Sequence, residues 1–171
     1  MENYFVEAKS RKELRMLATM VRKKLGFENE LRIPIVELLD VFSVVLNNFN
    51  YEIVSDHELP ADRHAETEIM SGTIRIKESI YERACNGEGR DRMTVAHEIA
   101  HYLMLRVFGF KLYRNVGKRE IKSFESPEWQ AKCFAGEFMI SHALTAAMEP
   151  EEIADKCGVS FEAALYQHDH R

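Results

Sequence analysis

The sequence is poor in cysteine, and the three it has, Cys85, Cys133 and Cys157, are widely spaced with no C-x-x-C pair. That excludes a disulfide scaffold and points to a reducing compartment, each thiol being expected as a small buried hydrophobe. An excess of positive charge is also missing. The formal net charge is −5, which leaves no electrostatic footprint for nucleic acid or an anionic membrane. No stretch approaches the ~18 apolar residues of a membrane span. The opening Met1-Glu2-Asn3-Tyr4-Phe5-Val6-Glu7 has no basic segment followed by an apolar core, as a secretory leader requires. The expectation is a cytoplasmic protein. Internal repeats and low-complexity segments are absent too. A chain of 171 residues is long enough to bury about 70% of its extended surface and fits a single domain, residues 1–171, better than two.

What is present is helical at both ends with a short stretch of strand between. Residues 8–25 predict a basic amphipathic helix, with Leu14, Leu17, Ala18, Val21 and Leu25 at helical spacing and its cations on a solvated face. Pro34 is read as opening a second helix along the stripe Ile35, Leu38, Leu39, Phe42, Val45 and Leu46, so that the N-terminal helices fill about 8–47. Strands are expected within about 51–76, at Tyr51 to Ser55 and Ile69 to Ile76, with Ser71-Gly72 as a bulge or turn. The polar stretch from Asp56 to Glu68 is read as a surface loop whose histidines, His57 and His64, are surface residues. Two further helices are expected at about 92–108 and 127–141, and a helical cap at about 149–168.

The first of those two helices carries His97-Glu98-Ile99-Ala100-His101. At about 100° per residue, a four-residue step leaves the two rings roughly 40° apart and one turn along the axis, so both reach one metal ion. Glu98 then lies beside the site as a base, not as a ligand. Zinc suits two imidazoles and a carboxylate, and a catalytic zinc site keeps one position open for water. A pentapeptide of this kind arises by chance often enough that context has to decide. Its flanks, Asp91 to Ala96 and Tyr102 to Phe108, are apolar on most faces, with Asp91 read as N-cap and Gly109 as the stop. Three polar groups on such a buried helix need partners, and one metal ion satisfies them together.

A third ligand is expected downstream, from Glu120, Glu125, Glu128, Glu137 or His142. Ser126-Pro127 reads as an N-cap and first helical position, which puts Glu128 in the first turn of the second helix. Glu128, Ala131 and Ala135 share one face, and the two alanines let that helix approach the histidines closely. Glu128 is therefore preferred, and Glu137, on a different face, is expected to meet solvent.

Arg92 to His101, followed by Pro127-Glu128-Trp129-Gln130-Ala131-Lys132-Cys133-Phe134-Ala135, resembles the paired signature of the ImmA/IrrE family of metallo-endopeptidases. The likeness extends over about residues 30–165, and the second motif is its more specific half. It departs from the family pattern at Met93, where phenylalanine is usual, and at Ile140-Ser141-His142, where a proline is usual. The resemblance implies an α+β fold, a small gluzincin-like zincin domain with a short β-sheet packed on the H-E-x-x-H helix. It implies one Zn2+ ion on His97, His101 and Glu128, with Glu98 as general base and acid. It also implies a protein substrate, commonly a helix-turn-helix repressor of a phage, mobile-element or stress-response system.

A donor for the tetrahedral oxyanion is sought among His142, Tyr113 and Tyr81, with His142 as first choice. The segment around Ile74 and Ile76 is a candidate edge for an extended peptide. The tail from Ala154 to Ala163 has the look of a helix-turn-helix turn, but its acidic residues oppose phosphate binding, so a packed cap is expected instead, with His168 and His170 as bystanders. The alternative function is a non-catalytic regulatory binding protein, an antirepressor or toxin–antitoxin component; Glu98 argues against it, because a structural metal site needs no base.

Overall fold

In a computed structural model of the protein, residues 4–117 and 119–170 are described. Residues 1–3, 118 and 171 lie outside the described residues. The fold is α+β. Strand β1 (Tyr4–Phe5) leads into helix α1 (Arg11–Lys24). Ser10 caps that helix reciprocally with Glu13: the Glu13 amide donates to Ser10 Oγ (3.3 Å) and the Ser10 amide to Glu13 Oε2 (2.8 Å), satisfying two otherwise unpaired donors. Helix α2 (Glu37–Val45) starts three residues later than Pro34 suggests, because Ile33 and Ile35 are drawn fully into the core before the helix begins.

Next come strands β2 (Asn50–Val54), β3 (Ala65–Glu68) and β4 (Thr73–Lys77). They form one sheet in the order β2-β4-β3, with β2 parallel and β3 antiparallel to β4. This corrects two expectations. The supposed surface loop contains β3, and Ile74 and Ile76 lie on the central strand, paired on both sides and fully buried, so the edges of this sheet are β2 and β3. The β3–β4 turn requires glycine at position 72: its φ is +77° and a Cβ there would stand 2.0 Å from the Asn48 carbonyl oxygen.

Helix α3 (Glu78–Cys85), which the sequence reading leaves unassigned, is followed by α4 (Gly89–Tyr102). Helix α4 begins before Asp91, which is not its N-cap; the buried Asp91 carboxylate accepts from Arg83 Nε at 2.7 Å. Gly89 stands there because a Cβ would lie 2.2 Å from the Val159 carbonyl carbon, where the tail crosses the helix start. Arg92, buried beside it, donates to the carbonyls of Gly158 (2.8 Å) and Ile33 (2.6 Å). Helix α4 ends in a π-helical turn, Leu103–Val107, in which the Phe108 amide reaches the Leu103 carbonyl.

Strand β5 (Tyr113–Arg114) pairs antiparallel with β1, and a 3₁₀ turn (Ser123–Glu125) precedes α5 (Pro127–Met139). The Trp129 amide donates to the Ser126 side chain, and Pro127 occupies the first position, as its fixed φ favours. The chain closes with α6 (His142–Thr145), α7 (Pro150–Cys157) and α8 (Phe161–Asp169).

The elements stack as sheet, α4, α5 and α1, with α3 also against α4 and α8 also against α5. One contiguous apolar cluster runs through the stack. Among the described residues no helix is long and apolar enough to cross a membrane.

Glu137 is not solvent-facing. Only 1% of its side chain is exposed, and it receives Arg15 Nε at 2.8 Å and Arg11 Nη1 at 3.0 Å. The cations of α1 are thus not all solvated: Arg22 too is buried, donating to the Phe138 carbonyl at 2.6 Å and to the Glu30 carbonyl. Removing one member of a buried ionic cluster strands its partners. Glu137→Ala is expected to lower stability by about 3 kcal/mol, read as a drop in unfolding free energy by urea titration, with Arg11→Ala costing less because Arg15 still holds the carboxylate.

Candidate metal centre

Helix α4 turns His97 and His101 toward the first turn of α5, and fully buried Ala131 and Ala135 let the helices close on one another. Glu128 is thereby brought to both rings. His97 Nε2 and His101 Nε2 stand 3.1 Å apart, and Glu128 Oε2 lies 3.2 Å from the first and 3.4 Å from the second. The rings meet edge-on at 83° with centroids 4.6 Å apart. His101 is buried, His97 and Glu128 are partly exposed, with side-chain exposures of 4%, 20% and 41%. The Glu128 carboxyl is held far below the usual carboxylate range, chiefly by the hydrogen bond to His101 and then that to His97.

These three residues form the one metal-capable group of its kind among the described residues. A tetrahedral zinc about 2.1 Å from each ligand sets its ligands about 3.4 Å apart, and the observed triangle is close to that size. Two ring nitrogens and a carboxylate oxygen converge on one point, a donor set that suits a cation. The residues present fit a metal ion. On the far side of its ring, His97 Nδ1 is buried with no hydrogen-bond partner among the described residues, so this ring is oriented by its neighbours in the packing and not by the outer hydrogen bond that metal-ligating histidines usually have.

Glu98 is buried beside the group, with its carboxylate fixed from β3: Thr67 Oγ1 donates to Glu98 Oε2 at 2.6 Å and also lies 3.1 Å from the Glu98 carbonyl oxygen. The cleft holding all four side chains has a volume of about 260 Å3, and its opposite wall is β3 with Arg63 at the mouth. Arg63 pairs with Glu66 at 2.6 Å, and Glu66 in turn with Arg75 at 3.1 Å.

Residues 56–168 match the family model for the IrrE N-terminal-like domain, Peptidase M78. The chain belongs to this family. No curated protein matches it in sequence. Its fold is similar to that of a solved Mycobacterium tuberculosis transcriptional regulator, at a TM-score of 0.63 and 16% identity over 91% of this chain. The chain spans 46% of that protein's length. In this IrrE N-terminal-like domain His97, His101 and Glu128 form a group that could hold a metal ion.

Other residues singled out in the sequence lie elsewhere. His142 lines a small separate cavity with Arg15, Glu137 and Gln167, so the structure does not bring it to the cleft as an oxyanion donor. The extended backbone at Ile140 ends α5 two residues early and sends the chain away from the site. Tyr113 stacks on Phe5, at 5.3 Å, in the β1–β5 ribbon, and Tyr81 neighbours Tyr51 and Cys85. Glu125 pairs with Arg119 at 2.8 Å. His57 contacts Ser55, and His168 and His170 sit at the end of α8 against Asp169 and Tyr166. Thr67 and Arg63 are the site residues that sequence reasoning missed; the only available signal was the weak alternation of Ala65 and Thr67 with Glu66 and Glu68.

Glu128→Ala and His101→Ala are each expected to lower metal affinity by more than the roughly 100-fold that loss of a supporting partner costs. Metal content after dialysis against a graded chelator measures this; retention at the level of the unaltered protein in both variants would remove the assignment.

Proposed function

We propose that the protein is a zinc-dependent endopeptidase that cuts a regulatory protein, a helix-turn-helix repressor of a phage, mobile-element or stress-response system. The observation that carries this reading is the convergence of three ligand atoms with a buried carboxylate, Glu98, fixed next to them but outside the triangle. A purely structural metal site has no use for that fourth group. His97, His101 and Glu128 would hold the ion. When bound, zinc supplies Lewis acidity, polarising a carbonyl and acidifying water at its open position.

Glu98 receives the proton of the attacking water and hands it to the leaving amine. Thr67 donates to one oxygen of that carboxylate, which leaves the other free to exchange the proton and keeps the group from swinging into the ligand triangle. Strand β3 pairs with β4 on one side only among the described residues, so its outer edge can take an extended peptide beside the cleft by strand addition. A cytoplasmic location agrees with the reduced cysteines, all three of which are free.

The fold neighbour's being named a transcriptional regulator favours a second reading, a non-catalytic regulatory protein that captures a partner through the same fold. Incubating the zinc-loaded protein with the repressor encoded beside its gene separates the two. Glu98→Gln is expected to keep its zinc and lose about 10²–10⁴-fold in cleavage rate. Cleavage undiminished in that variant sinks the mechanism, and repressor inactivation with no cut chain favours the capture reading. Thr67→Val is expected to lower kcat about tenfold or more with KM little changed, since a hydrogen bond to a charged group is lost, and Thr67→Ser to restore it.

A further inference from the structure

His97 is shared by two cavities. One is the polar cleft of the metal centre; the other, about 290 Å3, is lined by Arg90, Met93, Thr94, His97, Lys132 and Ala135. Arg90, Met93 and Thr94 are the residues seven, four and three positions before His97 on α4, so they line one flank of that helix up to the ligand ring. Lys132 and Ala135 supply the facing wall from α5. Met93 and Lys132 also border a third cavity, about 350 Å3, walled by Trp129, Cys133, Gly136 and Tyr166, with Glu162 and Gln167 at its α8 end. The second and third spaces share two wall residues and make a trough along α4 and α5 toward α8, which meets the metal cleft at His97.

The trough differs in chemistry from the cleft it joins. Its floor is hydrocarbon: the Met93 chain, the methyl groups of Thr94 and Ala135, the stem of Lys132, then an indole and a phenol ring. The charges at its near end are both positive, Arg90 and Lys132, and neither forms an ion pair with a described residue. An apolar cavity of about 150 Å3 holds a benzene ring, so the near chamber takes a side chain of leucine or phenylalanine size. Methionine at its boundary adapts to either. An alanine in the same place leaves most of the chamber without contacts, and dispersion is lost across the gap.

We propose that this trough seats the residue of a peptide substrate next to the scissile bond. The preferred residue is large and apolar, and it is followed by an acidic residue within reach of Lys132. The proposal rests on the metal-centre reading above and names the class of sequence that this site accepts.

The test is a calorimetric titration of the zinc-loaded protein with hydroxamates, whose metal-binding group anchors the probe. Acetohydroxamate, with no side chain, reports the metal centre alone. Peptidyl hydroxamates carrying leucine–glutamate, alanine–glutamate or leucine–lysine beside the anchor report the trough. Leucine–glutamate is expected to bind at least about tenfold more tightly than alanine–glutamate, as a filled apolar pocket requires, and more tightly than leucine–lysine. Met93→Trp, which fills the near chamber, should bring leucine–glutamate down to the level of alanine–glutamate and leave acetohydroxamate unchanged. Lys132→Glu, at an exposed position with no ion pair to a described residue, should reverse the order of leucine–glutamate and leucine–lysine.

The failures are distinguishable. If acetohydroxamate does not bind the unaltered protein, the metal-centre reading falls and the trough proposal with it. If acetohydroxamate binds but leucine–glutamate gains nothing over alanine–glutamate, or keeps its gain in Met93→Trp, the trough is overturned and the metal centre stands. An order that Lys132→Glu leaves unmoved overturns the acidic neighbour.

Discussion

The distance between α4 and α5 is the constraint on which the site depends. Two imidazoles one helical turn apart can always face the same way, but a third donor from another helix reaches them only if the backbones come close. Ala131 and Ala135, both fully buried, supply that closeness. A larger side chain at either position would push α5 outward by more than the few tenths of an ångström that separate the three donor-atom distances. The fold's contribution to the chemistry is thus a pair of missing side-chain atoms, and the rest of the stack serves to keep that contact from opening.

Helix α5 is held from behind by charge as well as by apolar packing. Glu128 and Glu137 are nine residues apart, which at about 100° each places them on opposite faces. One face meets α4 and its two histidines; the other meets Arg11 and Arg15 of α1. The same residue type therefore ends in two environments, and in both a buried or half-buried carboxylate is matched by facing donors, as burial of charge requires. Arg22 adds a third tie by donating to the Phe138 carbonyl near the end of α5. The helix that carries the downstream carboxylate is clamped along its length, so Glu128 is positioned by an element with little freedom to tilt.

This also explains what could be seen in the sequence and what could not. The H-E-x-x-H spacing and the Ser126-Pro127 helix start are local signals, each written within one turn, and both correspond to features of the structure. Glu137 was misjudged because a helix's own periodicity tells which residues share a face but not that a second helix, more than a hundred residues earlier, covers the other face. Strand β3 was missed for a related reason. Ala65-Glu66-Thr67-Glu68 has no apolar stripe, because one face of this edge strand meets the polar cleft and its neighbours are charged, so the composition that makes it useful to the site makes it look like a loop. Thr67 was invisible with it. The π-helical turn after His101 leaves no mark in composition at all, since it is a matter of hydrogen-bond partners and not of residue type.

His97 stands where two cavities of opposite character meet, and on the proposed function that placement separates reactivity from selectivity. The polar cleft needs Glu98, Thr67 and the ligand triangle in fixed relation, so its residues are tied to one another by contacts of 2.6–3.4 Å. The apolar trough has no such network: Met93, Thr94 and Lys132 touch the site only through their position on the same two helices. Changing them alters what lies beside the metal centre without altering the donors themselves, because helical geometry fixes where each side chain begins while leaving its size free. A fold that puts the metal-capable group on one flank of α4 and an adaptable apolar wall on the next can therefore change that wall without rebuilding the donor set.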